Sequence, residues 1–186
     1  MRLQCMNVDA VAVEMETMGV QPLAAAHELE EIYGAHRDPV FRYLRSICRD
    51  EDRALDLTAV TFERAFAELR AGREPGLGWL LRTARNAAID GERRARVARL
   101  LPRGSHRSEA TAQSAEDAAL DAELTASVHR ALAQLPNPQR DAIALRYSTE
   151  LTVREIADVI GKSQSATQKL LDRGLIRLKE MLNDLA

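Results

Sequence analysis

Apolar residues along this 186-residue chain recur at steps of three and four rather than two, so the pattern predicts helices and leaves no alternating run long enough for a sheet. Leu55, Thr58, Phe62, Ala65, Phe66 and Leu69 form one such stripe in a helix over Glu51 to Arg70, with Asp50 as its cap and Gly72 as its stop. Shorter helices are predicted before it, around Glu28 to Tyr33 and Val40 to Cys48. The stretch "GREPGLG" follows, where Pro75 and the glycines from Gly72 to Gly78 oppose regular structure, and "WLLRTARNAAIDGERRARVARL" then returns to helical spacing from Trp79.

The second half repeats the pattern. Leu120, Leu124, Val128, Ala131 and Leu135 make an i, i+4 stripe, and Asn137 with Pro138 reads as a cap followed by proline at the first helical position. Thr152 and Glu155 make a capping box, Gly161 is placed to end that helix in the left-handed conformation, and Ser163 caps the next. Four helices are expected here, at 117 to 134, 138 to 147, 152 to 160 and 163 to 182. Between the halves, "PRGSHRSEATAQSA" loses periodicity and reads as a flexible linker. The expected organisation is an N-terminal extension over 1–24, a helical domain over 25–100, a linker over 101–116 and a second helical domain over 117–186. The fold class is all-α, two small helical domains. Met6, Met15 and Met18 each offer an alternative start, so the extension carries no weight in the reading.

The last two helices meet at a tight turn. In the second of them Ala166, Thr167, Leu170 and Leu171 fall on one side, while Ser165, Gln168, Lys169, Asp172 and Arg173 fall on the other. That is the layout of a helix-turn-helix, whose second helix presents short polar side chains to base edges in a major groove. A plain αα-hairpin with a solvated outer face is the competing reading of this stretch alone.

Charge sharpens the picture only when taken locally. The formal net charge of −2, from 26 basic and 28 acidic residues, does not announce a nucleic-acid binder. Yet Arg82, Arg85, Arg93, Arg94, Arg96, Arg99, Arg103 and Arg107 stand against only Asp90 and Glu92 in the same stretch. On the helical projection Arg82, Arg85, Asn86, Arg93 and Arg96 lie opposite Leu80, Ala84, Ala87, Ala88 and Ala95, with Ile89 inside the polar arc. Arginines beside Asn86, Trp79 and a glycine-rich loop suit backbone neutralisation and base stacking on single-stranded nucleic acid. A solvated arginine face is the plainer alternative.

Cys5 and Cys48 form no CxxC pair, so a reducing cytoplasm fits better than a disulfide framework. His27, His36, His106 and His129 are scattered without ligand spacing; no metal, cofactor or catalytic cluster is expected. No apolar run approaches the length of a membrane span, and the acidic N-terminus is unlike a signal peptide, so the expected localisation is cytoplasmic.

At this point the residues resemble a known family. "WLLRTARNAAIDGERR" is similar to region two of bacterial sigma factors, and "LPNPQRDAIALRY" with "LTVREIADVIGKSQSATQKLLDRGLIRLKEML" to their region four. Both occur in the family's order over about Glu28 to Leu182, and the short spacing between them points to the extracytoplasmic-function group. The resemblance implies a dissociable, non-enzymatic initiation subunit. It would bind RNA polymerase core through the coiled coil of the largest subunit and the flap of the second-largest, and direct recognition and melting of promoter DNA. An anti-sigma factor is a further implied partner.

Carried over by position, Asp52, Asp56, Phe62 and Arg64 would face the polymerase. Ala59 and Val60 stand where the family usually has Gln and an acid, and Leu55 where a Glu is common. Trp79, Arg82, Arg85, Asn86, Arg93 and Arg94 would hold the melted minus-ten strand, with the Gly72 to Gly78 loop pocketing a flipped base. Arg154 would touch phosphate, while Ser163, Ser165, Ala166, Gln168, Lys169 and Arg173 would lie in or beside the minus-thirty-five major groove.

Three other readings compete. A stand-alone helix-turn-helix regulator leaves the Arg/Asn/Trp helix without a task, and co-purification with polymerase core distinguishes it. A helical hydrolase or transferase needs an acid/base or metal cluster that the sequence does not supply. A mere protein-interaction bundle predicts no steep salt dependence of DNA binding.

Overall fold

The structure, a computed structural model, describes residues 8–48, 50–100 and 118–183, with side chains described over 25–48, 50–97 and 126–183. Seven α-helices are present among them: α1 Val8–Ile47, α2 Glu51–Arg70, α3 Leu77–Leu100, α4 Ala118–Gln134, α5 Asn137–Ser148, α6 Val153–Ile160 and α7 Gln164–Asn183. The expected linker at 101–116, the leading residues before Val8, and the side chains of Leu120 and Leu124 lie outside the described residues.

Where two helices were expected before Glu51, α1 is continuous through Gly34 and Pro39. Both residues are poor helix formers, and Pro39 has no N–H to donate back along the helix. The apolar face wins: Leu29, Ile32, Val40, Tyr43, Leu44 and Ile47 lie along one side and all join the core between α1, α2 and α3. A helical break there would forfeit that alignment.

In α2, Asp50 caps as expected, its carboxylate accepting from the Asp52 N–H at 3.0 Å. Thr58, Phe62, Ala65 and Leu69 are buried, while Leu55 is 42% exposed and Ala54 and Thr61 are buried instead. The buried threonines return their hydroxyls to the backbone, Thr58 to the Ala54 carbonyl and Thr61 to the Leu57 carbonyl, each at 2.7 Å. Gly72 turns the chain at φ 71°. α3 begins two residues earlier than expected, at Leu77. It buries Leu80, Leu81, Ala84, Ala87 and Ala88.

The second half has its own core of Leu132, Leu135, Ala142, Ile143 and Leu171, with Val128, Leu170, Leu178 and Met181 against it. Asn137 does not cap α5. Pro136 holds the cap position without a side-chain bond, and the Asn137 amide oxygen accepts from Arg140 Nη2 at 3.2 Å. Asn137 is drawn into the first turn because Pro136 already supplies the extended entry, with ψ 139°.

The two halves also pack on each other, α5 and α4 against α1 and α6 against α3. Ala144, Leu145, Leu151, Ile156, Val159 and Ile160 complete the same apolar cluster as Val40, Tyr43, Leu44, Leu80, Leu81 and Ala84. α5 therefore serves two cores, which is why every residue from Arg140 to Leu145 is buried and the helix has no single polar face.

Candidate nucleic-acid interface

The α6 to α7 turn is built as its local chemistry requires. Thr152 caps α6 by accepting from the Glu155 N–H at 3.4 Å, and Glu155 Oε2 accepts from the Thr152 N–H at 2.8 Å, closing the capping box. The Thr152 hydroxyl also donates to Glu155 Oε2 at 2.6 Å, and that bond first, with the Thr152 N–H second, holds the Glu155 carboxyl below its ordinary value. Gly161 ends the helix at φ 68°, ψ 42°, a conformation that side chains with a Cβ resist. Ser163 Oγ then accepts from the Ala166 N–H at 3.2 Å and starts α7.

α7 is seated by Thr167 and Leu171, both buried, with Thr167 Oγ1 donating to the Ser163 carbonyl at 3.0 Å. Ser163, Ser165, Gln168, Lys169 and Arg173 are exposed and share the outer side, and Ala166 is half-buried beside them. Gln168 Nε2 donates to Asp172 Oδ1 at 2.8 Å, which holds its amide at the surface. Arg154 is exposed on α6. This is a polar, short-chained helix start, open for a major groove.

The α3 face is divided. Asn86, Arg93 and Arg94 are exposed. Trp79 is half-buried and packs against the core, leaving only part of the ring outward. Arg82 donates from Nη2 to the Asp158 carbonyl in α6 at 2.9 Å, and Arg85 Nε donates to Asp141 Oδ2 in α5 at 2.9 Å. Burial pushes the Asp141 carboxyl up, against the opposing pull of the Arg85 guanidinium. Ile89 is 41% exposed, outside the core.

The turn from Gly72 to Glu74 borders a cleft of about 740 Å³ between α1 and the end of α2, lined by Glu28, Glu31, Ile32, Arg70, Arg73 and Glu74 among others, with no α3 residue in its lining. Arg73 braces the loop by donating from Nη2 to Glu68 Oε1 at 3.0 Å, and that pairing lowers the Glu68 carboxyl. On α2, Asp52, Asp56 and Arg64 are exposed, but Phe62 is turned inward, 4% exposed, with its ring edge-on to Tyr33 at 4.8 Å. Phe62 thus forms the floor of an apolar groove walled by Leu29, Tyr33, Leu55 and Phe66.

Residues 32–98 match the family described as Sigma-70 region 2, and residues 131–180 match Sigma-70, region 4. The RNA polymerase sigma factor CarQ of Myxococcus xanthus is 30% identical over 164 residues, spanning 87% of this chain and 92% of its own length. The chain belongs to the sigma factor family of RNA polymerase. Its group is the extracytoplasmic-function one, to which SigM of Bacillus subtilis belongs, 29% identical over 166 residues, 83% of this chain and 95% of SigM. The fold is shared with the sigma factor RpoE of Bartonella quintana, solved in complex with the anti-sigma factor NepR: the TM-score is 0.66 at 24% identity, covering 79% of this chain and 92% of RpoE.

In this sigma factor the region-two match runs from within α1 through α3, and the region-four match from the end of α4 through α7. The residues expected to read the minus-thirty-five element fall together on the exposed side of α7 and the adjoining turn. Those expected to hold the minus-ten strand share α3, yet Arg82 and Arg85 are engaged by region four. Asp141, Asp158 and Tyr43, which surround these arginines, are the residues that sequence reasoning missed. A signal was present: on the α5 projection Arg140, Asp141, Ala144, Leu145 and Ser148 fall within an arc of about 140°, a mixed face for which the second half alone has no use. No helix among the described residues is long and apolar enough to cross a membrane.

Proposed function

We propose that this sigma factor joins RNA polymerase core and gives it promoter specificity in two physically separate steps. The α7 face of Ser163, Ser165, Gln168, Lys169 and Arg173 reads the minus-thirty-five duplex, with Arg154 on a phosphate. The α3 face of Trp79, Arg82, Arg85, Asn86, Arg93 and Arg94 holds the non-template strand once the minus-ten duplex unstacks, and the cleft at the Gly72 to Glu74 turn receives a flipped base. Asp52, Asp56 and Arg64 with the groove over Phe62 contact the largest-subunit coiled coil, and region four contacts the flap of the second-largest subunit. The protein performs no catalysis of its own. It works in the cytoplasm, where its partners are, and RpoE bound to NepR makes an anti-sigma factor a reasonable further partner.

The observation that carries this reading is the pairing, in one chain and in family order, of a seated helix-turn-helix with an exposed polar outer face and a helix bearing arginines and Asn86. A run-off transcription assay with purified polymerase core, on the DNA upstream of the chain's own coding sequence, tests it. A discrete transcript is expected only when the chain is added. Duplex binding by the chain alone, with neither core association nor a transcript, would instead establish a stand-alone helix-turn-helix regulator.

A further inference from the structure

The end of α1 and the parts of α4 and α5 beside it enclose a cavity of about 390 Å³, large enough for a small ligand. Arg45 and Ser46 line it from α1, His129, Arg130 and Gln134 from α4, and Arg140 from α5. Among the described residues no carboxylate belongs to the lining.

Three guanidinium groups around one space repel, and folded chains normally answer such charge at close range. Here the answers are partial and come from outside the cavity. Arg45 Nε reaches Glu51 on α2 at 3.3 Å, a partly exposed pair. Arg140, its side chain 8% exposed, has Glu92 on α3 at 3.7 Å and donates from Nη2 to the Asn137 amide oxygen at 3.2 Å. The Arg140 Nε–H is buried and has no acceptor among the described residues. Arg130 bonds within its own helix, to Ser127 Oγ at 2.9 Å and the Ala126 carbonyl at 3.4 Å. Burial first, and the Arg45 guanidinium second, push the His129 imidazole below its ordinary value.

A buried guanidinium short of acceptors is costly, and an anion in the cavity removes that cost. Phosphate suits the lining best, because it carries up to two charges and its oxygens take planar guanidinium forks in pairs. The lining holds no Phe, Tyr or Trp on which a base could stack, so recognition falls on the phosphate rather than on the body attached to it.

We propose that the cavity between α1, α4 and α5 is a binding site for a small phosphate-bearing molecule, its phosphate held by Arg45, Arg130 and Arg140 beside His129. The site draws on both halves of the chain, so it is complete only while α4 and α5 lie against α1, and a bound anion strengthens that contact. Inorganic phosphate, sugar phosphates and mononucleotides share the required chemistry.

Isothermal titration calorimetry of the full chain at about 0.15 M salt, where loose surface attraction is screened, separates these sources. The probes are inorganic phosphate, ribose 5-phosphate and adenosine monophosphate. Saturable binding of one molecule per chain is expected, and the tightest probe identifies the source. Arg130→Ala and Arg45→Ala are each expected to weaken it about tenfold or more, the loss of a charge-assisted hydrogen bond. Lys179→Ala removes the same charge from an exposed position on α7 and is expected to change nothing. Circular dichroism checks that each variant is folded.

The His129 imidazole gives a second readout, followed by NMR and assigned with His129→Gln. Arg45 and Cys48 from α1, Arg130 from its own helix and Arg140 from α5 share the cavity with it. An anion among these cations favours the protonated ring, so sulfate, whose charge is constant over the titration, should raise the His129 midpoint, and by less in Arg130→Ala. No saturable binding of any probe, an equal loss in Lys179→Ala, or an unmoved His129 midpoint overturns the site. Displacement of bound phosphate by a short DNA duplex overturns the small-ligand assignment and makes the cavity a contact for a DNA backbone.

Discussion

Two glycine-to-alanine substitutions, chemically identical, should move stability in opposite directions. Gly174 and Gly34 both lie inside long helices, α7 and α1, where alanine is favoured over glycine by about 1 kcal/mol. At Gly34 an added Cβ meets nothing within 4 Å, so Gly34→Ala should realise that gain. At Gly174 the Cβ would stand 2.6 Å from Ile143 Cδ1, 3.3 Å from Ile143 Cγ1 and 3.4 Å from Gln139 Cβ. Ile143 is 2% exposed inside the region-four core, so its terminal methyl has little room to retreat. Overpacking of this kind costs about 1 to 3 kcal/mol, which outweighs the helix gain and leaves Gly174→Ala destabilised by roughly 1 kcal/mol. Urea unfolding of full-length variants measures both, with thermal midpoints expected to move by about 2 to 4 °C per kcal/mol for a chain of this size. Because α7 meets α5 on one side and carries the proposed DNA-reading face on the other, pushing α7 outward should also weaken minus-thirty-five duplex binding without any change to a side chain of that face. Gly174→Ala as stabilising as Gly34→Ala would refute the close-approach reasoning and place slack in the α5–α7 crossing.

Tyr43→Phe should leave stability unchanged or raise it by about 1 kcal/mol in thermal unfolding, since the hydroxyl is buried without a partner and its removal spares a desolvation cost. Thr152→Ala removes the α6 cap and should cost about 1 kcal/mol. It should also flatten the acid limb of stability against pH: the Glu155 carboxyl is lowered in the folded chain, so its contribution is present above the ordinary value of 4.5 and is lost as pH falls through the lowered one. Equal acid slopes in variant and parent would show that the capping box does not report on folding. Lys169→Ala should weaken binding to duplex bearing the upstream element by about 1 to 3 kcal/mol if the ammonium reads a base edge, whereas the same loss on every sequence in titrations would mark a phosphate contact.

Local chemistry carried most of the fold into view. Asp50, Thr152 with Glu155, Gly161 and Ser163 act within a few residues of themselves, so helix ends defined by them were legible before any packing was known. What stayed hidden depended on partners distant in sequence. Gly34 and Pro39 read locally as a break, and only the alignment of Ile32 with Val40 and Tyr43 along one core overrides that preference. Leu55 read as core because helical spacing cannot distinguish a stripe's edge from its centre; in the fold it walls the groove over Phe62. Asn137 read as a cap because nothing local says that the preceding proline has already taken that position.

The site divides along the same line, with a consequence for how its residues are ranked. The recognition face of α7 follows from one helix and one turn, so residue type and spacing suffice to find Gln168, Lys169 and Arg173 there. The α3 face was legible as a concentration of arginine, but not the fact that its members differ in what holding a strand requires of them. In the proposed strand-holding role Asn86, Arg93 and Arg94 are exposed and give up only water, whereas Arg85 is paired with a buried carboxylate and Arg82 with a helix end. Replacing an exposed member would therefore remove only the proposed DNA contact. Replacing Arg85 would remove the same proposed contact and also strand the buried Asp141 carboxylate, and only the second loss enters the unfolding free energy. An alanine scan of α3 read as strand affinity alone would rank Arg85 below Asn86 for a reason unrelated to how closely either approaches the DNA. Only strand affinity and unfolding free energy measured on the same variants separate a strand contact from the Arg85–Asp141 pairing.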